Sequence, residues 1–100
     1  MIRGTTPAHE WELPFTVDMI SNIEVCYKQN GKEVLLKRTG DFELSENIAK
    51  VNLTEEETFA FKGGCKVSVQ LRVKTIDSDV MQTYVEEIYC YDTLFSEVMG

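Results

Sequence analysis

The chain has 100 residues, 43% of them hydrophobic and 10% aromatic, which suits one domain with a single two-layer core and excludes a disordered tail. Its net charge is −7, from 17 acidic and 10 basic residues, and such a balance repels phosphate backbones and argues against nucleic-acid binding. No apolar run reaches the ~20 residues of a membrane span, and no basic-then-apolar leader opens the sequence, so a protein made and kept in the cytoplasm, or carried out of the cell by something other than a signal peptide, is expected.

Period-two alternation dominates from the start. The first strand is expected over His9 to Phe15, with Trp11, Leu13 and Phe15 on one face and Glu10 and Glu12 on the other. Pro14 cannot donate to a ladder, so this strand lies at a sheet edge or ends there. Thr16 to Asn22 reads as a connection, with a short helical turn at Asp18-Met19-Ile20. Ile23, Val25 and Tyr27 then alternate with Glu24, Cys26 and Lys28 in a second strand that ends at Gln29. Asn30-Gly31 follows, a tight-hairpin signal because both positions need positive φ. The third strand returns over Glu33 to Arg38.

Thr39-Gly40-Asp41 breaks the chain, Phe42 and Leu44 mark a short fourth strand, and Ser45-Glu46-Asn47 turns into a fifth carrying Ala49, Val51 and Leu53. Thr54 followed three residues later by Glu57 is a capping box. It predicts a helix of about two turns that stops at Gly63-Gly64, with Phe59 tucked into the core. The stretch CKVSVQLRVKT is the clearest strand: Val67, Val69, Leu71 and Val73 face one way, and Lys66, Ser68, Gln70, Arg72 and Lys74 the other. Asp77-Ser78-Asp79 is a turn, and a seventh strand of muddier alternation runs over Val80 to Tyr91. Seven short strands at roughly 8–12-residue spacing predict a single domain over residues 1–100, an all-β, immunoglobulin-like antiparallel sandwich with one short helical cross-connection.

Chemistry is poorly marked. Cys26, Cys65 and Cys90 are odd in number and widely spaced, without a CxxC or CxxH pattern, so no zinc site and free thiols are expected. The only histidine, His9, lies in the first strand with no cysteine beside it to activate. Asp77 and Asp79 match the start of a calcium loop but lack its glycine and closing glutamate. Asn52-Leu53-Thr54 fits the glycosylation pattern, yet Thr54 is already used as a helix cap. No nucleophile-base pair or phosphate loop occurs, so no enzyme, cofactor or metal is expected. The candidate binding residues are Trp11, Tyr89 and Tyr91, with Tyr84 and Phe95 completing an aromatic group near the C-terminus. Lys66, Arg72 and Lys74 on one strand face could meet a carboxylate-rich surface or be neutralised by the chain's own acids.

The segments MIRGTTPAHEWELPF, VNLTEEETFAFKGG and VSVQLRVKT, in that order, resemble a group of proteins of about 100 residues encoded by phages and prophages of gut Firmicutes. The resemblance covers nearly the whole chain. Trp11, Met19, Cys26 and Cys65 depart from the group's pattern. It implies a phage-derived structural or interaction protein, a small virion component near the tail or baseplate, whose partners are other phage structural proteins or further copies of itself. Its expected place is the host cytoplasm and then the particle. The Gly4-Thr5-Thr6-Pro7 lead-in could pair with a neighbour or close its own sandwich. Two alternatives stand beside this reading: an acidic module that inhibits or decoys a basic host protein, and a carbohydrate-binding domain using the C-terminal aromatics.

Overall fold

The structure, a computed structural model, describes residues 1–99. Its strands are β1 (Ala8–Glu12), β2 (Ile20–Gln29), β3 (Lys32–Lys37), β4 (Phe42–Ser45), β5 (Ile48–Asn52), β6 (Cys65–Thr75), β7 (Val80–Gln82) and β8 (Glu86–Cys90), with one α-helix, α1 (Glu55–Phe59), between β5 and β6. They form a three-stranded sheet in the order β1-β5-β4 and a five-stranded sheet in the order β3-β2-β6-β7, with β8 also on β6. Every ladder between these strands is antiparallel. The all-β sandwich expected from the alternation is the fold observed.

The strand order is that of an immunoglobulin sandwich, whose sheets run A-B-E-D and C′-C-F-G. Here β1, β5 and β4 occupy the B, E and D places, β3, β2 and β6 those of C′, C and F, and β7 with β8 that of G. Among the described residues no strand fills the A place beside β1. Instead Ile2 makes a parallel bridge with Tyr91. The Met1 amino group donates to Tyr89 O, the Tyr91 amide to Met1 O and the Arg3 amide to Tyr91 O. Residues Met1 to Arg3, ahead of the Gly4–Pro7 lead-in, thus pair with the end of the large sheet of their own chain.

One cluster of side chains fills the space between the sheets. Ile23, Val25, Tyr27, Val67, Leu71 and Val73 come from the large sheet, Ala49 and Val51 from the central strand of the small one, and Leu53 from the residue after that strand, all fully or almost fully buried. Each buried aliphatic side chain contributes about 1.5–3 kcal/mol relative to exposure. His9 Nδ1 and the Tyr27 hydroxyl share a 2.7 Å hydrogen bond across the sandwich, which satisfies two polar groups that burial would otherwise penalise. Gln29 is a further polar anchor: its side chain accepts from the Lys62 amide at 2.7 Å and donates to the Lys62 carbonyl at 2.9 Å.

Several expectations need correction. The first strand ends at Glu12, before Pro14, and is an edge strand. The second begins at Ile20, because a bulge between Ile20 and Asn22 breaks its alternation and hides three residues. The helix has its capping box, Thr54 Oγ1 accepting from the Glu57 amide and Glu57 Oε1 from the Thr54 amide, but spans only five residues. Three-residue bonds, Ala60 N to Glu57 O and Phe61 N to Thr58 O, tighten its end and turn Phe61 inward. Phe61, not Phe59, enters the core, meeting Tyr27 edge-on with ring centres 5.9 Å apart. Phe59 is half-buried and lies beneath Gly4 and the Arg3 guanidinium.

The muddled seventh strand is one strand line broken by a bulge. Gln82 pairs with Arg72 and Glu86 with Val69, so Thr83, Tyr84 and Val85 stand opposite only two residues of β6. The extra residue reverses the parity of inward and outward side chains along this line. No helix among the described residues is long and apolar enough to cross a membrane.

Candidate interaction face

The alternation that sends Val67, Val69, Leu71 and Val73 into the core sends Lys66, Ser68, Gln70, Arg72 and Lys74 to the outer face of the five-stranded sheet. Antiparallel register brings Glu24, Cys26 and Lys28 of β2 opposite Arg72, Gln70 and Ser68. On the other side of β2, Leu36 faces Cys26 and Glu33 faces Lys28. Gln82 and Val80 join from β7, beside Arg72 and Lys74. This face holds a trough of about 380 Å³ lined by Glu24, Cys26, Lys28, Leu36, Gln70 and Arg72, together with Val85 of the bulge. A second hollow of about 430 Å³ continues past Arg72 to Asn22, Arg38, Lys74 and Val80.

Charge is organised along this trough. Arg72 Nη2 donates to Glu24 Oε1 at 2.6 Å, and Arg38 Nε lies 3.8 Å from Glu24 Oε2, so one carboxylate holds two guanidinium groups. Lys66 and Glu87 pair at 3.4 Å. Lys28 and Lys74 have no ion-pair partner among the described residues. On this face Lys28, Arg38, Lys66, Arg72 and Lys74 outnumber Glu24, Glu33 and Glu87, in a chain where acids outnumber bases 17 to 10. The opposite outer face, on the small sheet, carries Glu10, Glu12 and Glu43 around Lys50. The two sheet faces thus have opposite charge.

The bulge edge is fixed by polar bonds. The Thr83 amide donates to Leu71 O at 3.0 Å, and Thr83 Oγ1 accepts from the Leu71 amide at 3.0 Å. Gln70 Nε2 donates to Thr83 O at 2.9 Å and to Gln82 Oε1 at 3.3 Å. Tyr84 stands on this bulge almost fully exposed, at 94%. At the trough floor, burial first and then the nearby Glu33 carboxylate push the Cys26 thiol up, so it is a poor nucleophile.

The aromatic residues singled out from the sequence do not converge. Trp11 is half-buried on the inner side of β1, between His9 and Phe42, with ring centres 6.5 Å from each. Tyr89 and Tyr91 lie at the outer edge of the large sheet, 44% and 58% exposed. Their rings meet edge-to-face at 4.7 Å, so each covers part of the other. Their backbone groups hold Met1. Alternation along β6 marks its basic side but not its partners, because Glu24 and Arg72 are 48 residues apart and only strand pairing unites them. Among the described residues no group of three or more His, Cys, Asp or Glu is placed to hold a metal ion.

No protein-family model, curated protein or solved structure matches the chain.

Proposed function

We propose that the chain is a non-catalytic interaction module, an assembly component of a phage or prophage particle, that docks through the outer face of its five-stranded sheet. The observation that carries the reading is charge segregation: a hollowed face rich in Lys and Arg on a chain of net charge −7. Such a face selects a carboxylate-bearing surface, and its unpaired Lys28 and Lys74 keep donors free for one. Arg72, hydrogen-bonded to Glu24 at 2.6 Å, is pre-oriented, which lowers the entropy cost of docking. The likeness of MIRGTTP, LTEEET and VQLRV to phage-encoded proteins supplies the setting, a virion part near tail or baseplate that assembles in the host cytoplasm.

Particles induced from the host and purified by density gradient test this reading by quantitative peptide mass spectrometry. Peptides of this chain at stoichiometric level support it. A chain present in induced cells and absent from particles overturns it. A second reading, an acidic module that occupies a basic host protein, is favoured by Glu10, Glu12 and Glu43 on the small sheet. It requires binding that weakens with salt and is lost on reversing those carboxylates rather than the basic face.

A further inference from the structure

Cys65 opens β6 and Cys90 closes β8, and the register sets them directly opposite each other as the last pair of the ladder. Both belong to the inner face. Val67 and Val69, at two-residue steps from Cys65, are buried, and Cys90 itself is fully buried while Cys65 is half-buried. Directly opposed antiparallel residues hold their Cα atoms about 4.5–5.5 Å apart. A disulfide needs about 4.4–6.8 Å. Cys26 lies on the outer face and takes no part. All three thiols are free in the structure.

We infer that Cys65 and Cys90 are an oxidation site, closing an intrachain disulfide when the chain meets a small disulfide such as glutathione disulfide. The half-buried Cys65 is the sulfur a solute can reach. Its thiolate attacks one sulfur of glutathione disulfide, forming a mixed disulfide and expelling one glutathione thiolate. The Cys90 thiolate then attacks the Cys65 sulfur and expels the second glutathione. Two protein thiols are oxidised, one glutathione disulfide is reduced to two glutathiones, and the two thiol protons pass to the expelled thiolates. Burial pushes the Cys90 thiol up, so the second step quickens as pH rises. Cβ atoms across a strand pair sit about 4.5–5.5 Å apart, and a disulfide draws them to about 3.5–4.5 Å. The pair ends its ladder just after Gly63-Gly64, so the closure moves a strand end and not the sheet.

The bond would staple β8 to β6 where Tyr89 and Tyr91 hold the N-terminal residues. A reducing compartment keeps the pair open and an oxidising one closes it. This inference stands apart from the docking reading.

The test uses the reduced full-length chain, incubated at pH 8 with glutathione disulfide and read by thiol titration, intact mass and peptide mapping. The expected result is a fall from three titratable thiols to one, with loss of two hydrogens, a Cys65–Cys90 linked peptide, and a melting temperature raised by about 5–10 °C. The Cys26→Ser variant behaves identically, with no thiol left. A stable glutathione adduct on Cys65, a link through Cys26, a covalent dimer or three unchanged thiols overturns the assignment.

Discussion

The Lys37 ammonium lies 2.6 Å from Glu57 Oε2, and the other oxygen of that carboxylate accepts from the Thr54 amide at 2.8 Å. One side chain thus caps α1 and ties it to the edge strand β3. Burial alone would raise the Glu57 carboxyl, but the hydrogen bonds from Lys37 and Thr54 outweigh it and hold it below its ordinary value. Glu57→Ala loses both cap and ion pair and leaves a largely buried ammonium alone, at a cost of about 2–3 kcal/mol. Glu57→Gln keeps the cap and costs about 1 kcal/mol. Urea midpoints at pH 7 measure both. Because the folded carboxyl titrates lower than the unfolded one, this stabilisation is complete above the unfolded value of 4.5 and fades as pH falls through the folded one, a fade absent from Glu57→Gln.

His9 makes a second pH-dependent contribution. Burial lowers its proton affinity, and the nearby N-terminal ammonium lowers it further. The unfolded chain then binds a proton that the folded one resists, so stability is full above the ordinary imidazole value of 6.5 and falls as pH drops below it. Melting temperatures between pH 7.5 and 5 should decline in the natural chain and decline less in His9→Gln. Tyr27→Phe removes the hydroxyl partner of His9 and costs about 1 kcal/mol at pH 7.

The bulge depends on one hydroxyl. Leu71 is fully buried, and its amide has Thr83 Oγ1 as acceptor. Thr83→Val leaves that amide without it and costs about 1–3 kcal/mol, whereas Thr83→Ser keeps the bond and most of the stability. Thermal melts of the two variants separate the hydroxyl from the shape of the side chain.

Gly4 has φ 74°, and a Cβ there would stand 2.5 Å from Phe59 Cζ. Gly4→Ala combines a left-handed backbone penalty with that close approach and is expected to cost about 1–2 kcal/mol. The loss should be local. Hydrogen exchange at the Arg3 and Tyr91 amides, which donate to Tyr91 O and Met1 O, should speed up while Leu71 and Val73 stay protected.

What the sequence made legible was whatever a short window can carry. Asn30 and Gly31 take positive φ, as the Asn-Gly signal requires. The Val67-Val69-Leu71-Val73 alternation marks the central strand, and Thr54 with Glu57 marks the helix start. Bulges defeat periodicity, which is why Ile20–Asn22 read as connection and Val80–Tyr91 as one irregular strand. Phe59 and Phe61 are both aromatic and two residues apart, and only the early end of the helix decides which turns inward. The candidate face was half legible. The cations of β6 stood out, but Glu24, Arg38 and Gln82 join them through pairings that no local pattern encodes. Trp11 stood out as an anchor because it is large and aromatic, yet its neighbours make it a partly covered core residue.

The docking claim is tested most directly by reversing charge on the proposed face and counting copies in purified particles. Lys28→Glu with Lys74→Glu changes two exposed positions outside the core that hold no ion pair among the described residues, so the chain should fold with the natural circular dichroism spectrum. The natural chain should be incorporated stoichiometrically and the reversed one at least about tenfold less, the equivalent of about 1.4 kcal/mol or more. Equal incorporation of a folded variant, or the absence of both chains from particles, would contradict it.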